Sequence, residues 1–520
     1  MKVACEFWSL MRFNQLAAAG AVSLLLLLPM AARGGGVVSE CTEANLRAAM
    51  SGGGLVTFAC DGTITLASTI TNDLNTTLDG SGHQVTISGG NAVGVFHVKT
   101  NVLLTTIHLT IANGYSDMGA AIFNSGLVQA TDSIFAGNVV GKATYPLVSS
   151  GGAIYNAGTF VARRCAFFQN QATGWAYAMP APEAGSGQGG AIYNIGELSV
   201  DGSAFVSNRA IGLWGGNGQD WVGARGSPGG SAYGGALFNA GVATLVNSTI
   251  VSNLCTGGGG GWGGCGPYSM HGLERVYYGP GGNGGSGGNG IGGGIYSDGH
   301  SIHLTNCTVA FNSASAGLGG AGGGGSPPGV AGANGTASGA VLVGGNSPLI
   351  NSIVAGNSPS NFSGTITDFG HNLSSDDSSA ITNSSSFKNT NPLLGSLANN
   401  GGPTLTMALL PGSPAIDAGD IAAAPSTDQR GHPRPVGMAA DIGSYEYGTT
   451  PRLRIGLPQA GRVEILLYDA SGQTCRLFKS TTLTDWQCVA TNRIGPDGTV
   501  LFQDNCGTGE TQRFYRVALP

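Results

Sequence analysis

Charge is scarce in this chain. Only 10% of its 520 residues are Asp, Glu, Lys or Arg, and the span 34–449 contains three lysines. Nucleic-acid binding needs a basic surface to meet phosphates, so no nucleic-acid partner is expected. The glycine runs contain no Asp at fixed places, which a calcium-binding glycine repeat requires, so no metal and no cofactor are expected. Glycine lacks the strict every-third-residue period of collagen along the chain. The C-terminal "RFYRVALP" has no hydrophobic tail and no Ser–His–Asp order stands out. Low charge with 41% hydrophobic residues also argues against a disordered chain.

What the chain has in excess is glycine: 92 residues, roughly 18% against a usual 7%. Lys2 and Arg12 precede an apolar run from Leu16 to Met30, with Ala31 and Ala32 after it. Residues 1–33 read as a secretory signal rather than a retained anchor, so the mature chain is expected to be exported, without a stable membrane span. Charge then divides the remainder. Residues 34–449 contain 11 Lys/Arg against 21 Asp/Glu, a net of −10, whereas 450–520 contain 8 against 6, a net of +2. A domain boundary near Thr450 is expected.

One hexamer recurs. "GGAIYN" stands at Gly151 and Gly189, with variants at Gly119 ("GAAIFN"), Gly234 ("GGALFN"), Gly292 ("GGGIYS") and, more weakly, Ser338. An Asn follows 19 residues after the start of five copies (Asn138, Asn170, Asn208, Asn253, Asn357), and 20 residues after Gly292 (Asn312). Three residues before it is a bulky apolar residue (Phe135, Phe167, Phe205, Ile250, Val309, Val354). Two places earlier again is a small one (Ser133, Cys165, Ser203, Ser248, Cys307, Ser352). Apolar residues two apart mean strands. A unit this short cannot bury its own apolar face, but stacked units can. The expected fold is all-β: a right-handed parallel β-helix over 34–449, followed by a small antiparallel β domain over 450–520. Asn is expected to close the turn, tolerating left-handed angles and bonding to the Asn above and below.

These repeats resemble the paired GGA[IL] and FxxN motifs of polymorphic outer-membrane proteins. "NPLLGSLANNGGPTLTMALLPGSPAIDAGD", "TDQRGHPRP" and "DIGSYEY", between Asn391 and Tyr447, resemble the end of choice-of-anchor Q domain proteins. The resemblance covers about Cys41 to Tyr447. It implies a pectin-lyase-like β-helix at a bacterial cell surface or outside the cell, and it brings no catalytic residues with it.

Solenoid ends need covers. Leu46, Ala49 and Met50 predict a front capping helix. Asp428, Arg430, Arg434, Asp441 and Glu446 predict a rear cap tied by Arg–carboxylate pairs. The runs at Gly257, Gly279 and Gly317 are expected to be loops projecting from one side, with Trp214, Trp221, Trp262 and Tyr268 as candidate sugar- or partner-binding aromatics. The blander expectation is that these rings fold back onto the solenoid wall. Cys41–Cys60 and Cys255–Cys265 are the candidate disulfides. Cys165 and Cys307, three repeats apart, are expected to be free and buried, and at most one pair forms among Cys475, Cys488 and Cys506. Trp486 and Phe514 are expected in the core of the C-terminal domain.

Asp132 and Arg164 occupy the same place in successive coils. They are the candidate catalytic pair, with a surface salt bridge as the plainer reading. The expected function is a non-catalytic, monomeric, adhesin-like or carbohydrate-binding surface protein with a polysaccharide or cell-surface partner. The alternative is a polysaccharide lyase or glycoside hydrolase.

Overall fold

The computed structural model describes residues 34–141, 148–175, 184–271, 273–343, 347–377 and 380–448, then 452–456, 462–468, 474–482, 484–495, 499–505 and 513–518. The signal segment 1–33, Cys506 and the boundary near Thr450 lie outside the described residues.

Three long parallel sheets of eleven, ten and nine strands form the walls of a parallel β-helix. The hexamer supplies the nine-stranded wall. In Ile154–Asn156 the Ile points in, the Tyr points out and the Asn is buried, paired in register with Ile122–Asn124 and Ile192–Asn194. The two glycines have separate reasons. Gly151 has φ +70°, and a Cβ on Gly152 would sit 2.0 Å from the carbonyl oxygen of Gly190 in the next coil. Outside, Phe123, Tyr155, Tyr193 and Phe238 stack ring on ring at 4.8–5.3 Å. Inside, Phe135, Phe167 and Phe205 stack at 4.9 and 4.6 Å, and Ile250, Val309 and Val354 continue the column.

The Asn residues form two buried ladders. Asn124, Asn156, Asn194 and Asn239 pass amide hydrogen bonds down the stack at 2.7–2.8 Å. Asn138 to Asn357 do the same at 2.8–3.0 Å. One expectation is corrected here. In this second ladder the left-handed residue is the one before the Asn: Gln169, Ser207 and Ser252 have φ 52–56°. The turn needs a left-handed residue that points outward and a buried amide beside it, and two adjacent residues divide those tasks.

At the front, the helix Glu43–Met50 buries Leu46, Ala49 and Met50 over the first coil, and Thr42 caps its N-terminus. Glu43 accepts from the N–H of Ala67 at 2.8 Å, and Cys41–Cys60 is a disulfide with Cα atoms 5.7 Å apart. Both front expectations hold. At the rear the account changes. Residues 380–387 close the last coil, with Ile381 in the main core. The span 391–447 instead folds back along the flank, as a plate over the outer face of the ten-stranded sheet. Met407, Leu394 and Leu397 pack on Ala204, Val206, Val251 and Ala310, whose outward side chains are apolar at this end. Gln429 reaches Thr249 at 2.6 Å, and Thr404 reaches the carbonyl of Gly202 at 2.8 Å. Within the plate, Arg430 pairs with Asp428 at 2.7 Å and Arg434 with Glu446 at 2.9 Å, all four buried. The Arg–carboxylate pairs are as expected, but they tie down a side plate.

The C-terminal residues form two three-stranded antiparallel sheets around Val463, Ile465, Leu467, Leu477 and Phe502. Trp486 and Phe514 are only half-buried, and Arg516 lies 4.4 Å from the Trp486 ring.

Candidate functional site

The glycine runs are not free loops. Between the short strands Arg209–Ile211 and Ala232–Tyr233 the chain runs out and returns, and it does so again from Leu254–Thr256 to Gly290–Ile291 and from Ser313–Ser315 to Ala337–Ser338. The outgoing arms bond side by side: Gly215 to Gly259, Gly218 to Trp262, Gly260 to Leu318 and Gly263 to Ala321, at 2.7–2.8 Å. The returning arms do likewise, as Gly226 to Asn283, Gly229 to Ser286, Gly284 to Val330 and Gly287 to Ala333, all at 2.8 Å. The two layers join through Gly261 to Ser227 and Gly285 to Gly261, at 2.9 and 2.8 Å. Every third residue donates to the same neighbour. That is the period of polyproline II, a conformation with no internal hydrogen bonds that is stable here only because the arms bond to each other.

Glycine is required by closeness. A Cβ on Gly261, Gly285, Gly320 or Gly332 would lie 1.9–2.0 Å from a carbonyl oxygen of the adjacent arm. The period of three that is absent from the whole chain is therefore present within these arms. Arm length also explains the spacing of 45, 59 and 45 residues between successive rungs of the second Asn ladder, since the middle arm pair is the longest.

The third residue of each turn faces outward. Its side chain satisfies a leftover N–H in the next arm: Asn217 for Trp262 at 2.9 Å, Asp220 for Cys265 at 2.7 Å, Asn283 for Val330 at 2.9 Å and Asn289 for Thr336 at 2.8 Å. The outer face of the outgoing layer carries Trp214, Trp262 and Leu318, 73%, 62% and 72% exposed. The Trp214 indole lies flat on Gly259, whose added Cβ would meet ring carbons at 3.3–3.4 Å. Trp214 and Trp262 therefore do not fold back onto the solenoid wall. Trp221 and Tyr268 stack on each other at 4.4 Å, with Arg275 4.7 Å from the Tyr268 ring. They belong to the turn and hairpin at the arm ends, so the four candidate aromatics divide two and two. Leu318 and Asn217 were missed; reading the first arm in threes places Asn217 on the face of Trp214, whereas Leu318 joins that face only through the pairing of separate arms.

Cys255 and Cys265 are both free, which corrects the expected disulfide. The arm between them runs straight, so ten residues at about 3.1 Å each hold them roughly 30 Å apart. Burial pushes the thiols of Cys165, Cys255 and Cys307 up to about 12.

The second region is a groove of about 450 Å³ across the early coils, lined by residues that include His83, His108, Thr110, Asp132 and Ile134. Asp132 and Arg164 are left-handed turn residues in successive coils, with φ 49° and 53°. Arg164 grips both carboxylate oxygens of Asp132, at 2.7 and 2.6 Å, and this hydrogen bonding raises the guanidinium above its ordinary value. His108 Nδ1 is 3.2 Å from Ser81 Oγ, and its Nε2 is 3.8 Å from Asp132, too far for a hydrogen bond. His83 stands 3.5 Å from Asp61. Ser81, His83, His108 and Asp61 were not singled out as a group by spacing, because they come together only when coils stack. Among the described residues there is no group of three or more His, Cys, Asp and Glu able to hold a metal, and no helix is long and apolar enough to cross a membrane.

No protein-family model matches this chain, and no curated protein matches it.

Proposed function

We propose that this is an exported, surface-located β-helix protein that binds carbohydrate or a cell-surface partner without transforming it. The observation that carries this reading is the rigid glycine slab holding Trp214, Trp262 and Leu318 out to solvent, since apolar side chains gathered on one exposed face mark interaction surfaces. The solenoid and plate form its mount. The resemblance of the hexamers and of 391–447 to choice-of-anchor Q domain proteins supports the cell-surface setting.

The groove favours the same answer. A hydrolase needs a pair of carboxyl groups free to reach the scissile bond. Both carboxylate oxygens of Asp132 are taken by Arg164, at 2.7 and 2.6 Å.

The test is a panel of neutral and acidic polysaccharides, scored in parallel for binding and for release of reducing or unsaturated ends. Binding without release is the expected result. Turnover that disappears in Asp132→Asn would replace this reading with the lyase or hydrolase alternative.

A further inference from the structure

We infer that the outer face of the outgoing glycine layer recognises the flat face of an insoluble, neutral, β-1,4-linked polysaccharide. This inference rests on the carbohydrate-binding reading above.

The face is planar because its backbone is a hydrogen-bonded array. Successive arms bond at 2.7–2.8 Å with no side chain between them. A concave site would enclose one chain end or one bent chain, whereas a plane can only meet another extended surface. The Trp214 ring lies parallel to this plane, directly on Gly259, and turns its free face outward. An indole face stacks on the axial C–H groups of a pyranose. A sugar polymer offers such faces repeatedly in one plane only when its linkages are equatorial and its chain is extended.

Spacing agrees with that geometry. Trp262 is level with Asn217, which bonds its N–H at 2.9 Å. Asn217 is three residues beyond Trp214, one turn of about 9 Å along the arm. One arm spacing sideways adds about 5 Å, so the Cα atoms of the two tryptophans stand roughly 10 Å apart. That is about one disaccharide step of an extended β-1,4 chain. Leu318 is level with Gly259 and Gly260 and sits two arms from Trp214, so the contact covers more than one polymer chain. On this face Asn217 and Asp220 each spend an acceptor on the array itself, bonding the N–H groups of Trp262 and Cys265 at 2.9 and 2.7 Å.

Charge selects the neutral class. The arms and their turns carry Asp220, Arg225, Glu274 and Arg275, a net of zero, and Asp220 is on the same outgoing layer. Arg275 is engaged above Tyr268. An acidic polymer such as pectate would find no basic row.

The experiment is depletion of the full chain from solution by microcrystalline cellulose and crystalline chitin. Soluble hydroxyethylcellulose, starch and pectate are the comparison arms. Depletion by one or both crystalline polymers is expected, with soluble forms at least ten-fold weaker. Trp214→Ala with Trp262→Ala should reduce crystalline binding at least ten-fold while leaving the melting temperature unchanged, since both rings are exposed. Trp221→Ala should change it less than two-fold. Binding confined to pectate, starch or soluble chains would overturn this inference and leave the carbohydrate-binding reading standing. Binding to no polysaccharide would remove both. Crystalline binding that survives the double substitution would remove the face as its site.

Discussion

The side-chain amide of Asn138 donates to Oδ1 of Asn170 at 2.9 Å, and the backbone N–H of Asn138 meets the same oxygen at 3.1 Å. Asn170 in turn donates to Asn208 at 3.0 Å and to the carbonyl of Phe135 at 2.8 Å. Each rung therefore satisfies both its neighbours and a wall carbonyl, with no water needed.

Replacing Asn170 by Leu removes four such bonds and leaves buried donors and an acceptor unpaired. The expected loss is about 3 kcal/mol or more of unfolding free energy in urea. The exposed Asn399 changed to Ala should cost less than about 0.5 kcal/mol. Equal costs at the two positions would mean that the ladder does not hold the wall.

The cysteines give a chemical map of the same solenoid. Cys41–Cys60 closes a loop of 19 residues, so Cys60→Ser should cost about 3 kcal/mol by the loop-entropy argument. In the folded chain Cys265 and Cys488 should label with a thiol reagent, while Cys165, Cys255 and Cys307 label only after denaturation. Mass spectrometry finding a Cys255–Cys265 bridge would contradict the extended arm between them.

The plate should respond to pH in the direction opposite to most carboxylate-tied structures. Burial, then the nearby Glu446 carboxylate, pushes Asp441 up to about 7 from 3.8. The folded form binds this proton more tightly than the unfolded form does, so the contribution is fully present below about pH 4 and is lost as pH rises through 7. Between pH 6 and pH 8 the plate should weaken by about 1 kcal/mol. Hydrogen exchange over 391–447 should therefore be faster at pH 8 than at pH 6 once intrinsic exchange is corrected. Asp441→Asn should flatten that difference, and an unchanged difference in the variant would refute the assignment.

The walls of the solenoid were legible because their signals are local. A fixed offset from Gly151 to Asn170 can be read off one coil, and stacking then follows from the unburied face. The flank plate was not legible. Gln429 finds Thr249 across 180 residues, and nothing in "TDQRG" says which surface it covers. The groove failed for the same reason: Ser81, His108 and Asp132 meet only after two coils have stacked. The glycine arms failed for a different one. Their period of three was masked by runs such as 257–261, where every residue is glycine, although "GGNGGSGGNG" from Gly281 shows it openly.

That period makes the sharpest prediction. Gly261 sits between both layers, donating to Ser227 at 2.9 Å and accepting from Gly285 at 2.8 Å. A Cβ there would lie 1.9 Å from the carbonyl oxygen of Gly216, a contact no side chain makes, so the arms must part to admit it. Polyproline II arms have no bonds of their own to fall back on, so parting them exposes the backbone of the whole slab. Gly261→Ala should thus accelerate hydrogen exchange across 212–336 at least ten-fold. The walls, held by their own ladders, should keep their protection. Ser286→Ala removes an outward side chain and should leave exchange unchanged. If Gly261→Ala also left exchange unchanged, the arms would not be close-packed, and the platform for Trp214 and Trp262 would lose its physical basis.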